Sequence, residues 1–267
     1  MTFGEFREEE RVGWSQRAEV YADATARATL QSIPTLLAAV RLFPGARLAD
    51  VGCGPGYAAG AAAALGARAT GIDFSRSMVS AARARFPEVD FLEGDAEALP
   101  LEDGSQDAVV SNIVLFHVID PGRAAGEAFR VLQPGGFFAF SQWCAPQESA
   151  CYRLLFEVLS EHADLSVASP APNAFDLSDR DTACGLMESA GFSDIAVAEV
   201  PNLLRAKCGS FFDFFMDFGV RIPAIMDKQA PEVRQKVKAE IDARAERYRF
   251  DGEIRVPMPS IVVSGRR

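Results

Sequence analysis

The chain has 267 residues, 49% of them apolar and 24% charged, which is ordinary globular composition and excludes disordered and collagen-like classes. A net charge of −10 and an isoelectric point near 4.8 argue against a partner bound mainly through phosphates, such as nucleic acid, and against an anionic membrane surface. No stretch reaches the roughly 18 uninterrupted apolar residues of a membrane span, and the acidic start MTFGEFREEERVGW reads as neither signal nor transit peptide. Five scattered cysteines without a CxxC pair, and only two histidines, predict a reduced, cytoplasmic protein with no metal centre. Twenty phenylalanines against four tyrosines and two tryptophans point to an apolar ligand cavity in addition to a core.

The first forty residues read as helical. Trp14, Ala18, Tyr21, Ala24 and Ala28 recur at three- and four-residue spacing, and Ser32-Ile33-Pro34 interrupts before the pattern resumes over 35–43. From Ala46 to Gln142, strand-length apolar runs alternate with helical stretches. The strands are expected over 47–51, 69–72, 89–92, 107–111 and 136–141, and the helices over 57–65, 77–85 and 123–131. Asp73 and Ser75 stand where a helix N-cap belongs, and Gln133-Pro134-Gly135-Gly136 stops a helix and starts a strand. Beyond Trp143 the pattern predicts a helix over 150–162, a proline-containing loop, a helix over 179–190 and a strand over 194–200. An aromatic block at 209–226, a helix over 231–248 and a last strand over roughly 255–264 complete the chain.

Three strand ends carry a consistent set of residues. The first is Asp50-Val51-Gly52-Cys53-Gly54-Pro55-Gly56, between a strand and a helix, where alternate glycines let the backbone turn tightly and approach a ligand. Alone, it also fits a tight turn with no ligand. The second is Asp73, 17 residues beyond Gly56, where a carboxylate can accept from both ribose hydroxyls, or can simply cap the next helix. The third is Gly94-Asp95-Ala96, where a carboxylate can receive an adenine amino group. All three fall on the carboxyl edge of the predicted parallel sheet. A nicotinamide dinucleotide fingerprint requires glycine three residues after Gly54, and that position is Tyr57. A ligand with adenosine but no diphosphate does not need that glycine, which favours S-adenosylmethionine.

The stretches LADVGCGPG, ATGIDFSRSM and FLEGDAEALPLEDGSQDAVVSNIVLFHVIDPGRAAGEAFRVLQPGGFFAFS resemble the class I S-adenosylmethionine-dependent methyltransferases. More narrowly, they resemble the small-molecule branch that includes the ubiquinone and menaquinone biosynthesis methyltransferases. The resemblance covers about residues 46–142, and a weaker likeness continues through PNAFDLSDRDTACGLMESAGFSDIAV. It implies an α/β fold: a Rossmann-like, doubly wound, mostly parallel seven-stranded sheet with N-terminal helices and a helical C-terminal insertion forming a lid. The corresponding boundaries are an N-terminal lid segment at 1–45, a core at 46–200, an aromatic-rich cap at 201–252 and a final core strand at 253–267. By the same resemblance Asp50, Gly52, Cys53, Gly54 and Gly56 surround the methionine tail. Asp73 holds the ribose, Phe74 and Met78 pack on the adenine, Asp95 and Ala96 bind its edge, and Ser111, Asn112 and Phe116 lie near the sulfonium.

The acceptor site has no comparable motif. His117, on the loop after the fourth strand, is the candidate general base or positioning residue, with a helix-start role as its alternative. His162 reads as a surface residue. Trp14, Tyr21, Trp143 and the block Phe211, Phe212, Phe214, Phe215 and Phe218, of which Phe211 and Phe215 lead, are candidate acceptor walls. The expected activity is methylation of a small aromatic or apolar molecule at oxygen, nitrogen or carbon. The expected partner is that molecule, with no nucleic acid and no membrane span, and a homodimer is left open. Two other readings stand beside it: a protein that binds S-adenosylmethionine or S-adenosylhomocysteine without transfer, and an NAD-dependent oxidoreductase.

Overall fold

A computed structural model describes residues 4–207 and 209–267. The N-terminal segment forms α1 (Gly4–Arg17), α2 (Ala26–Thr29) and α3 (Ile33–Ala39), the last opened by Pro34. The helix expected to run on through Tyr21 ends at Arg17 instead. The turns that follow let Thr25 Oγ1 donate to Phe218 O at 2.6 Å, a tertiary contact that outweighs the local helical pattern.

The alternating stretch forms β1 (Arg47–Val51), α4 (Tyr57–Ala64), β2 (Arg68–Asp73), α5 (Arg76–Arg85), β3 (Asp90–Glu93), β4 (Gln106–Asn112), α6 (Pro121–Val131) and β5 (Leu132–Trp143). Ser75 caps α5 by accepting from Met78 N, and Asp120 caps α6 by accepting from Arg123 N. Next come α7 (Ala150–His162), α8 (Arg180–Ser189) and β6 (Ser193–Val200), with Ser149 and Asp179 capping the two helices. The remainder comprises β7 (Leu203–Ala206), α9 (Phe211–Phe218), α10 (Arg221–Asp227), α11 (Pro231–Ala245), β8 (Arg249–Phe250), β9 (Glu253–Pro257) and β10 (Ser260–Arg266).

Seven strands form the main sheet in the order β3-β2-β1-β4-β5-β10-β6, parallel except for β10, which runs antiparallel to both neighbours. Side-chain alternation divides the sheet into two faces. Leu48, Ala108, Val110 and Val262 pack on one face beneath α3, α4 and α5. Ala49, Val109, Ile261 and Val263 point the other way, beneath α6 and α8. The doubly wound, mostly parallel seven-stranded sheet expected from the sequence is therefore present.

The last strand is corrected. Met258-Pro259 splits it, so that β9 pairs with β7 and β8 in a separate three-stranded sheet, and only β10 joins the core between β5 and β6. Pro259 has no N–H to donate to a sheet ladder. The small sheet, α7, α9, α10 and α11 share an apolar core of their own, which holds Leu154, Phe211, Val237 and Val256. His162 is half-buried beside Glu161 at 3.6 Å rather than fully at the surface.

Candidate active site

The strand order reverses between β1 and β4, where the outgoing loops diverge and open a crevice at the carboxyl edge. Gly52, Gly54 and Gly56 have φ of 69°, 51° and 84°, the left-handed conformation that carries the chain from β1 into α4. Their reasons for being glycine differ. A Cβ on Gly56 would fall 2.6 Å from the Phe91 ring, so close packing of the helix on the sheet demands glycine there. At Gly54 the nearest neighbour would be the Tyr21 ring at 3.9 Å, which leaves the backbone open to the cavity.

Asp73 ends β2 with its carboxylate accepting from Gly54 N at 2.8 Å and Ser75 N at 2.9 Å. Burial nonetheless pushes it up to about 6, against the pull of those donors. Asp50 accepts from Ala59 N at 2.9 Å through one oxygen, while the other is buried with no partner among the described residues. Burial pushes Asp50 up to about 7. Asp95 accepts from Glu97 N and is ion-paired with Arg7 of α1.

One cavity joins these groups to the aromatic residues. Of the residues expected around a cofactor, Gly52, Gly54, Asp73, Phe74 and Met78 line it, as do Asp95, Ala96, Asn112 and Phe116. Asp50, Cys53, Gly56 and Ser111 do not. The Cys53 thiol is buried with Leu48 and Ala69 beneath α4, and the Ser111 hydroxyl donates to Val51 O at 3.0 Å. Trp14, Tyr21, Trp143, Phe215 and His117 also line the cavity, whereas Phe211 is sealed in the core formed by α7, α9 and α11. Phe211 starts α9 and packs inward, and Phe215 and Phe218 of that helix face the chamber.

The chain beyond β4 is bent by Ile113, whose φ of 61° is costly for a β-branched residue. Ser141 Oγ accepts from Ile113 N at 2.9 Å, and Asn112 Nδ2 donates to Thr29 O at 3.0 Å, which fixes the bend and ties it to α2. The bend delivers Phe116 and His117 to the cavity.

Sequence reasoning missed two groups of lining residues. Tyr152 and Phe156 of α7 meet the Phe175 ring at centroid distances of 5.0 and 5.8 Å, and Arg221 and Ile222 open α10. The other group is on α1, where Phe6 and Glu10 line the cavity at four-residue spacing with the expected Trp14. Glu10 is only 3% exposed, and its Oε2 accepts from Trp14 Nε1 at 2.9 Å and lies 2.7 Å from His117 Nδ1. The legible signal was an acid standing in an otherwise aromatic stripe. Among the described residues, no cluster of three or more His, Cys, Asp or Glu side chains could hold a metal ion.

A family profile described as a methyltransferase domain matches residues 49–140. A demethylmenaquinone methyltransferase of Renibacterium salmoninarum is 30% identical over 183 residues, covering 65% of this chain and 77% of the relative. A Mycolicibacterium smegmatis protein named as a probable S-adenosylmethionine-dependent methyltransferase is 42% identical over 92 residues, 34% of this chain and 36% of that relative. The chain thus spans little more than a third of its length. The YcgJ protein of Bacillus subtilis shares the fold, with a TM-score of 0.56 at 20% identity over 88% of this chain and 97% of that one. A doubly wound sheet with acidic strand tips around an open glycine loop defines the class I methyltransferase fold. The chain belongs to the S-adenosylmethionine-dependent methyltransferase family. Its own residues fit that cofactor: Gly54 carries no side chain between its backbone and the cavity, Asp50 has one oxygen without a partner among the described residues, and Asp73 and Asp95 both line the cavity.

Proposed function

We propose that the protein transfers the S-adenosylmethionine methyl group to a small, apolar or aromatic organic acceptor enclosed in the aromatic chamber. One observation carries this reading: a single cavity is lined both by Gly52, Gly54, Asp73 and Asp95 and by Trp143, Phe215 and Phe218. Asp73 would accept from the ribose hydroxyls, Asp95 and Ala96 would meet the adenine edge, and Phe74 and Met78 would pack on its faces. Asp50 would receive the amino group of the methionine tail through its free oxygen, from behind the glycine loop. Bound there, the cofactor supplies an electrophilic methyl carbon on a positive sulfur.

The chain's contribution is to orient, enclose and exclude water. Holding two reactants in line is worth roughly 7–11 kcal/mol of barrier, so positioning alone supplies a large share of catalysis. Trp14 and Tyr21 from the N-terminal segment, with Phe215 and Phe218 from α9, cover the acceptor end. An acceptor large and charged enough to be a nucleic acid does not suit this enclosed site or a net charge of −10.

A nicotinamide dinucleotide is disfavoured by the same geometry. Its diphosphate would need an open α4 N-terminus, and there the Tyr21 and Tyr57 rings stack at 6.4 Å, with Arg85 over Tyr57. The test is incubation with labelled S-adenosylmethionine and a panel of phenols, amines and quinols, with S-adenosylhomocysteine as the readout. Calorimetry with S-adenosylmethionine and NADH runs in parallel. Acceptor-dependent product supports the proposal; tight NADH binding without S-adenosylmethionine binding overturns it.

A further inference from the structure

We infer that Glu10 is the positioning residue of an acid–base pair with His117, and that this pair selects a hydroxyl-bearing acceptor, making the transfer an O-methylation. The inference rests on the methyl-transfer reading above and names its substrate class.

The geometry puts a shared proton between the two side chains. Glu10 Oε2 and His117 Nδ1 are 2.7 Å apart, too close for a carboxylate oxygen and an imidazole lone pair to face each other. A proton therefore lies between them, and because Trp14 Nε1 already donates to that same oxygen, which favours the ionised carboxylate, we place it on Nδ1. In the neutral ring this leaves Nε2 as the bare acceptor nitrogen, and among the described residues none donates a hydrogen bond to it. His117 lines the cavity, so that nitrogen belongs to a residue on the chamber wall.

The carboxylate is itself held. Trp14 Nε1 donates to the same oxygen at 2.9 Å, and the Trp14 ring stands edge-on to the imidazole at 5.2 Å, while Phe116 lies 3.9 Å from it. Glu10 from α1 touches the imidazole and Asp73 from β2 interacts with it electrostatically, and both stabilise an imidazolium once it forms; Arg7, Asp95, Glu97 and Arg221 are the other charged residues lining the cavity. A carboxylate buried to this degree is a poor device for stability, because desolvation offsets most of what the pairing returns. Its placement is explained by proton handling.

That chemistry discriminates among acceptors. A neutral amine attacks through its own lone pair and loses its proton afterwards. A hydroxyl is a weak nucleophile until its proton leaves. Here the acceptor O–H proton passes to His117 Nε2 as the oxygen–methyl bond forms. The methyl–sulfur bond breaks with its electron pair remaining on sulfur, and the imidazolium then releases its proton to solvent. General-base assistance of this kind contributes roughly 10²–10⁴-fold.

His117 and His162 are the only histidines, so the imidazole resonances of isotope-labelled protein can be read directly, with His162→Gln for assignment. In wild-type protein saturated with S-adenosylhomocysteine at mildly alkaline pH, His117 is expected as the Nδ1–H tautomer. The Nε2–H tautomer, or a ring still doubly protonated, overturns the inference whatever the activity. In turnover with matched hydroxyl and amino acceptors, Glu10→Gln is expected to lower kcat for the hydroxyl series about a hundredfold. Glu10→Asp should recover part of that loss, and S-adenosylhomocysteine affinity should stay within twofold. Undiminished kcat in Glu10→Gln and His117→Gln, or turnover confined to amines, overturns it. Failure of the methyl-transfer reading shows separately, as absence of S-adenosylmethionine binding to wild-type protein.

Discussion

Gly13 of α1 lies directly against Val220 at the start of α10, and a Cβ at position 13 would sit 2.3 Å from a Val220 methyl. The N-terminal helix is thus pressed onto the covering elements at one point, while Ser15 Oγ meets Ser75 Oγ of the core at 2.9 Å. Gly13→Val should force the two helices apart, at about 1–3 kcal/mol as for other overpacked sites. Hydrogen exchange read by mass spectrometry should show lost protection confined to α1 and α10. Unchanged protection would mean that the contact is not what seats the helix.

Asp73 and Asp50 predict a pH dependence with a definite sign. Both folded values, about 6 and about 7, lie above the ordinary carboxylate range. The folded protein therefore holds these protons more tightly than the unfolded chain does. The stability they contribute is fully present below about pH 4 and is lost as pH rises through 6 and 7, by roughly 3 kcal/mol for Asp73. Cofactor binding runs the opposite way, because ribose hydroxyls need an ionised acceptor. Ionisation of Asp73 alone should raise affinity for S-adenosylhomocysteine about fourfold between pH 5.5 and 7.5, and Asp73→Asn should remove that part of the rise in calorimetry.

Asp50→Asn should separate stability from binding. Removing the charge relieves a buried carboxylate whose second oxygen has no partner. At pH 8 the ligand-free variant is expected to melt at or above wild type, while its affinity for S-adenosylmethionine falls by about tenfold or more. A lowered melting temperature together with intact affinity would assign Asp50 a purely structural role.

Trp143, Phe215 and Phe211 should fall into two groups. The first two line the chamber, so Trp143→Phe and Phe215→Leu should change acceptor KM and leave cofactor affinity within twofold. Phe211 is walled into the core beneath α7 and α11, and Phe211→Ala should cost about 3–5 kcal/mol of stability. Denaturant melts beside acceptor kinetics distinguish the groups.

The sheet that carries the candidate cofactor site was legible because each feature there is local. A glycine loop, Asp73 at the end of β2 and Asp95 two residues beyond β3 are short patterns, and the parallel alternation that aligns them shows in residues 46–142. Even there, periodicity could not tell Gly54, which faces the cavity, from Gly56, which packs against Phe91. Phe211 and Phe215 lie one helical turn apart, and only the tertiary arrangement decides which of them meets the ligand. Whereas β8 and β9 pair across the local turn Asp251-Gly252, the pairing of β7 with β9 escaped notice because it joins segments about fifty residues apart, beyond the reach of any local pattern. Glu10 was hidden for the same reason, since its partner His117 is over a hundred positions away.

Phe6, Glu10 and Trp14 reach the chamber from α1, which ends thirty residues before the first core strand begins. Much of the wall proposed to meet the acceptor is thus written in α1 and α9, outside the stretch 46–142 that holds the groups proposed for the nucleoside, while His117 lies within it. Exchanging α1 with that of another methyltransferase, with Arg7 kept as the partner of Asp95, is a route to retuning which molecule is modified.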